Sequence, residues 1–172
     1  MKTLILFAFL FLLLTSLLSC NDTPNKPFHL PKNSIELLSG THGKTWELAK
    51  RLNGDTGMNM GDCFLSYRIT YHPNKTLHDN NGDHYDCGET LKATWEFFKN
   101  KEAHNFIKIE SKQLPKLMHM EAHHKYFQLL DLTDSTLTVT FKHQQFSNQT
   151  RWITDYLVPE DVVVQDRDFH NR

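Results

Sequence analysis

The stretch Cys63–Cys87 reads CFLSYRITYHPNKTLHDNNGDHYDC: a cysteine, an alternating run, a turn, a return and a second cysteine. Leu65, Tyr67, Ile69 and Tyr71 alternate with Ser66, Arg68 and Thr70, the period of a strand with one buried face. His72-Pro73-Asn74-Lys75 supplies turn chemistry, and Thr76-Leu77-His78 opens the return strand. Folding back at Asn74 brings the mirror position of Cys63 to about residue 85, close to Cys87 once a bulge of one or two residues is admitted. In an exported chain the pair reads as a disulfide closing a loop of about 25 residues, a contribution on the order of 3–4 kcal/mol in the chain-entropy model. A metal or redox pair is the competing reading, and the spacing lacks a CxxC pattern for either.

Export is read from the other end of the chain. Met1-Lys2 is followed by an apolar run to Leu14 and then Leu17-Leu18-Ser19-Cys20. A basic start, an apolar stretch and a small residue before the cleavage point describe a signal peptide over residues 1–19. The tetrapeptide ending in Cys20 resembles the bacterial lipobox, which implies a diacylglyceryl thioether on Cys20 as the first mature residue. Two or three acyl chains make a stable anchor that does not span the bilayer. With Cys20 lipidated, Cys63 and Cys87 are the two that remain of three cysteines. The expected location is the bacterial cell envelope, on the periplasmic face of a membrane or on the outer membrane.

Residues 20–34 carry three prolines among polar residues and read as a lipidated tether. Ile35 to Gly40 suggests one short helical turn, and from Lys44 the period becomes two. Trp46 and Leu48, the Leu65–Tyr71 run, Thr76–His78, Leu91–Phe97, Phe106–Ile109, Lys125–Leu132, Thr136–Lys142 and Thr150–Val158 make about eight short strands. Turns separate them, and only Ser111–His124 is long enough for a crossover. Such a meander hides its edges by closing, so residues 35–160 are expected to form an all-β, antiparallel, up-and-down eight-stranded barrel, with residues 161–172 as a tail.

The ensemble resembles the lipocalin-like (calycin) domain of small Bacteroidetes-type lipoproteins. The resemblance rests on Leu38-Ser39-Gly40 with Gly43-Lys44-Thr45-Trp46-Glu47-Leu48, and on the cysteine–strand–turn–cysteine order from Cys63 to Cys87. Ala93-Thr94-Trp95-Glu96-Phe97 and the hairpin from Tyr126 to Val139 complete it. The spacing is GxxW, and Lys75 stands where a glycine is common. The resemblance implies a barrel with room for a small ligand, and a disulfide across the second and third strands.

Nothing selects a catalytic set: there is no GxSxG elbow and no Ser/His/Asp or Cys/His arrangement, so an enzyme is not expected and no cofactor is implied. Nineteen Lys and Arg against twenty Asp and Glu, without a basic stripe, argue against nucleic acid. The aromatics Trp46, Tyr67, Tyr71, Trp95, Phe97, Phe141, Trp152 and Tyr156 are expected to face inward, as core or as the lining of a pocket for a small apolar ligand. Arg151 is expected to cross over Trp46. The loop Gly54–Asp62, with Met58 and Met60 exposed, is read as an open loop or lid at a barrel mouth. His119, His123 and His124, flanked by Met118 and Met120, form the one metal candidate, against a solvated crossover. Asp79–Asp83 lacks the glycine and glutamate of a calcium loop and reads as a turn.

Overall fold

The computed structural model describes residues 27–144, 150–165 and 167. Cys20, the signal peptide and the first part of the tether lie outside the described residues.

The domain is a closed antiparallel barrel. A short helix α1 (Ser34–Ser39) precedes β1 (Lys44–Asn53), the two-residue β2 (Thr56–Gly57) and helix α2 (Asp62–Ser66). Then follow β3 (Arg68–Tyr71), β4 (Thr76–Asp79), β5 (Lys92–Lys99) and β6 (Asn105–Glu110). Helix α3 (Leu114–Leu117) leads to β7 (His124–Leu132), β8 (Leu137–Gln144) and β9 (Thr150–Pro159). Neighbours pair in chain order, β2 is an appendage on the end of β1, and β1 pairs with β9 to shut the ring. The eight-stranded up-and-down barrel expected from the alternation is thus what the chain forms.

Two bulges set what faces inward. On β1 the register to β9 runs Leu48 to Leu157 and then Lys50 to Tyr156, so Ala49 is the extra residue. The inward face therefore changes from Trp46 and Leu48 to Arg51 and Asn53, the phase shift that one inserted residue imposes. On β7 the same occurs between Leu129 and Asp131, which turns Leu132 inward.

One end is sealed. Trp46 is wholly buried and donates from Nε1 to the Leu38 carbonyl at 2.8 Å, tying α1 across the barrel bottom. The cation over its ring is Lys44, with Nζ 4.2 Å from the centroid. The expected Arg151–Trp46 contact does not occur: Arg151 pairs with His143 in the β8–β9 ladder, whereas Trp46 lies opposite Pro159 at the other end of β9. Phe28 and Leu30, assigned from sequence to the tether, pack against the core, and Asn105 Nδ2 donates to the Phe28 carbonyl at 2.6 Å. Lys75 adopts a left-handed φ of 70° in the β3–β4 turn. Its ammonium lies 3.8 Å from the Trp95 ring centroid, a cation–π contact that offsets the backbone strain.

The disulfide is present, with S–S 2.03 Å and Cα–Cα 5.3 Å. Its setting differs from expectation. The hairpin folds about Asn74 as read, with Tyr71 opposite Leu77. Cys63, however, sits in α2 and Cys87 in the loop after β4, so the bridge joins two segments at the barrel mouth and not two strands. Leu65, expected in a strand, is likewise in α2, whose polar Asp62 and Ser66 favour a local turn: Ser66 Oγ donates to the Asp62 carbonyl at 2.8 Å.

The tail also returns to the barrel. Arg167 donates to the Leu48 carbonyl at 2.8 Å and lies 3.3 Å from the carboxylate of Glu47, which is buried on the outer face of β1 and also paired with Arg68 at 2.5 Å.

Replacing both Cys63 and Cys87 by serine is expected to cost about 2–4 kcal/mol in denaturant unfolding. Because the bridge ties mouth segments only, hydrogen exchange in that variant should quicken in α2 and residues 80–91 while the β1–β9 ladder stays protected.

Candidate functional site

The end opposite Trp46 is built differently. The ends of β1, β4, β6 and β8 and the starts of β3, β5, β7 and β9 meet there, covered by α2, the Cys87 loop and α3. Leu114 is fully buried, and Leu117, Met118 and Met120 pack against the core, so the Ser111–His124 crossover is an apolar cap. Met60 is only 2% exposed: the Gly54–Asp62 loop tucks it inward, contrary to the exposed methionine expected.

Beneath this cap lies a cavity of about 50 Å³ lined by Tyr67, Ile69, Tyr71, Leu91, Met118, Phe127, Val139 and Asp155, among others. A water molecule's share of the liquid is about 30 Å³, so this space holds one small polar group and no drug-sized ligand. A larger recess of about 360 Å³ lies on the outer wall around Thr94, Glu96, Lys108 and Glu110. Lys108 reaches Glu96 at 3.0 Å and Glu110 at 3.2 Å there, while Lys75, also in its lining, lies over the Trp95 ring.

Three ionisable groups lie at or beside the cavity under the cap. Arg51, turned inward by the β1 bulge, holds both oxygens of Asp155 at 2.6 and 2.7 Å and stacks on Phe64 at 4.4 Å. This bidentate pair consumes the carboxylate. Lys125, inward on β7, is left with soft neighbours. Its Nζ lies 3.7 Å from Met118 Sδ, 4.5 Å from the Phe141 centroid and 5.4 Å from that of Phe127. Among the described residues no carboxylate lies within ion-pair distance of it. The buried side-chain atoms left without a hydrogen-bond partner among the described residues are Asn53 Oδ1 and Asn59 Oδ1.

Electrostatics follow from that arrangement. Burial, then the Arg51 charge, lowers the Lys125 pKa to about 8, with Asp155 opposing. Burial, then Lys125 and Arg51, lowers that of His143. Burial raises those of Tyr67 and Tyr71, and the Asp155 charge adds to both. At this end the positive charges of Arg51 and Lys125 face the carboxylates of Asp155 and Asp79, and the Asp79 charge raises the Tyr67 pKa further.

Of the aromatics expected inside, Trp46, Tyr71, Trp95 and Phe141 are buried, and Tyr67 and Phe97 pack against the core. Trp46, Trp95 and Phe97 fill the barrel, with Trp95 edge-on to Tyr71 at 5.8 Å and to Phe97 at 5.5 Å. Only Tyr67 and Tyr71 line the cavity. Trp152 and Tyr156 point outward, 49% and 37% exposed, because Ile153, Asp155 and Leu157 take the inward phase of β9. The histidines of the crossover do not converge. His119 is exposed at a left-handed φ of 49°, His123 is exposed, and His124 faces outward against Tyr126. Among the described residues no three His, Cys, Asp or Glu side chains gather as metal ligands. Asp79 accepts from the backbone N–H of Leu91 and Asn81 at 3.0 and 3.2 Å, the turn role read from its sequence. Sequence reasoning missed Arg51, Lys125 and Asp155. The signal available was three ionisable residues on inward phases of their strands, hidden for Arg51 by the unforeseen bulge.

The Lys125 pKa makes a signed prediction. With the folded value near 8 and the ordinary value 10.5, the folded state binds fewer protons than the unfolded chain between those pH values. Stability contributed through Lys125 therefore rises with pH across that window. Lys125→Met should be more stable than the parent at pH 7, by ~1–3 kcal/mol, with the gap narrowing toward pH 10.5 in urea melts.

No family model matches this sequence, and no curated protein matches it at a significant level. Among solved structures it is similar to the crystal structure of a lipocalin-like protein from Bacteroides uniformis ATCC 8492. The identity is 14%, the match covers 67% of this chain and 94% of that one, and the TM-score is 0.43. The strand order and the β1–β9 closure of the present chain make an up-and-down antiparallel barrel.

Proposed function

We propose that this protein is a lipid-anchored binding module of the bacterial cell envelope, not an enzyme, which takes a small, largely apolar molecule at the mouth of its barrel. One observation carries the reading. The mouth end keeps a cavity beneath its cap, beside an ion pair and a desolvated lysine, where close-packed apolar side chains would be more stable. The sealed end shows that the same chain packs without such groups when nothing has to enter.

The anchor is supported by the Leu17–Cys20 segment and by the disulfide, which suits an oxidising compartment. Among the described residues no helix is long and apolar enough to cross a membrane. Changing Cys20 to Ala should abolish incorporation of radiolabelled palmitate and release the protein from the membrane fraction.

Binding is tested with the neutral fluorescent probe N-phenyl-1-naphthylamine. Saturable binding at about one site per barrel is expected. Phe64→Ala, which removes exposed apolar surface from the mouth, should weaken it. A folded parent that leaves the probe dark would contradict the reading.

A second reading, a filled-barrel accessory of an envelope complex, is favoured by the small cavity. An outward aromatic cluster of Phe98, Phe106 and Tyr126, with centroids 5.2–6.2 Å apart, also supports it. Absence of probe binding would turn the account toward it.

A further inference from the structure

Resting on the lipid anchor of the proposed reading, we infer that the outer face of β5–β7 beside the sealed end is a membrane-contact face. There Phe98, Phe106 and Tyr126 dock the barrel against the bilayer that holds its acyl chains. The rings project from three neighbouring strands. Phe98 stands opposite Phe106 across β5–β6, and the centroids of the three rings lie 5.2–6.2 Å apart. Phe98 is 41% exposed and Tyr126 38%. The other outward positions of β5 and β6 are polar, Lys92, Thr94, Glu96, Lys108 and Glu110, as alternation prescribes for a solvated face. The cluster interrupts that rule in one place.

The exit of the tether sets this place toward the membrane. The described chain begins at Pro27, and the Phe28 carbonyl accepts from Nδ2 of Asn105, the residue before Phe106. Seven peptide links separate Cys20 from Pro27 and reach at most about 25 Å. The anchor therefore attaches beside the cluster and keeps the sealed end close to the bilayer. Charge acts in the same direction. The rim turn beyond Phe98 exposes Lys99 and Lys101 against Glu102, whereas toward the mouth Lys108 is outnumbered by Glu96 and Glu110. An anionic lipid surface attracts the first group and repels the second, which tips the sealed end toward it.

Size favours lipid over a protein partner. Two rings, each about two-fifths exposed, offer roughly 150 Å². Each partner in a standard protein interface gives about 800 Å². So small a patch does not hold a free protein. It suffices where acyl chains already keep the barrel at the bilayer, because docking is then intramolecular and runs at high effective concentration. Aromatic rings suit the boundary between headgroups and acyl chains, and the Tyr126 hydroxyl is solvated there.

Bromolipid quenching tests the inference on the lipidated protein, reconstituted into vesicles of phosphatidylglycerol and phosphatidylcholine brominated high on its acyl chains. Trp152, 49% exposed on β9, is a built-in control, because β9 lies across the ring from β5. Trp46 and Trp95 are buried and give the same background throughout. In the parent, bromination is expected to leave the Trp152 emission unchanged. In the Phe98→Trp, Trp152→Phe double variant, the introduced indole should lose about half of its emission or more, as a ring 5–10 Å into the boundary would. Both substitutions exchange exposed aromatics, and an unaltered thermal unfolding curve verifies the fold of the variant. An introduced indole quenched no more than Trp152 would overturn the inference. If that protein still floats with the vesicles, the anchor stands and the cluster falls to the protein partner of the accessory reading. Protein that stays out of the vesicle fraction removes the anchor and the inference together.

Discussion

The β1–β9 ladder is the constraint on which the molecule depends. It turns a meander with two exposed edges into a ring, and an open edge is a template for unwanted pairing. The ladder also carries the bulge at Ala49, and with it the division of the barrel into two chemistries. Before the bulge β1 sends Trp46 and Leu48 into the core; after it, Arg51 turns inward opposite Asp155. A flat, unbulged β1 would point Lys50 and Leu52 inward at the mouth and strip Asp155 of its partner. One extra residue thus seals one end and polarises the other.

The two ends embody opposite energetic choices. At the sealed end the single buried polar atom of Trp46 is satisfied by α1, and Phe28, Leu30 and Leu38 complete an apolar plug. At the mouth the Arg51–Asp155 ion pair and the desolvated Lys125 lie at or beside a cavity lined by Tyr67, Tyr71, Leu91, Met118 and Phe127. Burying an ion pair is at best weakly stabilising, and burying a lysine without a counter-ion is unfavourable. Stability is recovered nearby, where the disulfide and the apolar cap of α3 hold the mouth segments over the polar cavity. Natural proteins commonly tolerate such local costs where a ligand has to be met.

Much of this architecture was legible in the residues. Alternation at Ile69–Tyr71, Ala93–Phe97 and Leu137–Phe141 marks strands directly, and the turn at Pro73–Asn74 sets the hairpin register. The cysteine pairing was legible from its near-mirror spacing, although its place at the mouth was not, because α2 interrupts the run that alternation reads as strand. Trp152 and Tyr156 were misplaced because aromaticity was weighed above phase: Ile153 and Leu157 own the inward face of β9. The site was the least legible part. Arg51 is displaced by a bulge that no local pattern announces, and Lys125 looks like any surface lysine until strand closure places it among Met118, Phe127 and Phe141. The histidines drew notice through their density in sequence, yet they sit on a turn and an outer face. Long-range register, which the strand pattern alone does not supply, decides all three.

The central claim is that the mouth end keeps its cavity for a small occupant. Native mass spectrometry of the mature protein, prepared gently from its own host, addresses it most directly. A stoichiometric small-molecule adduct is expected on the folded protein. An adduct-free mass would contradict the claim and leave the barrel a filled structural module.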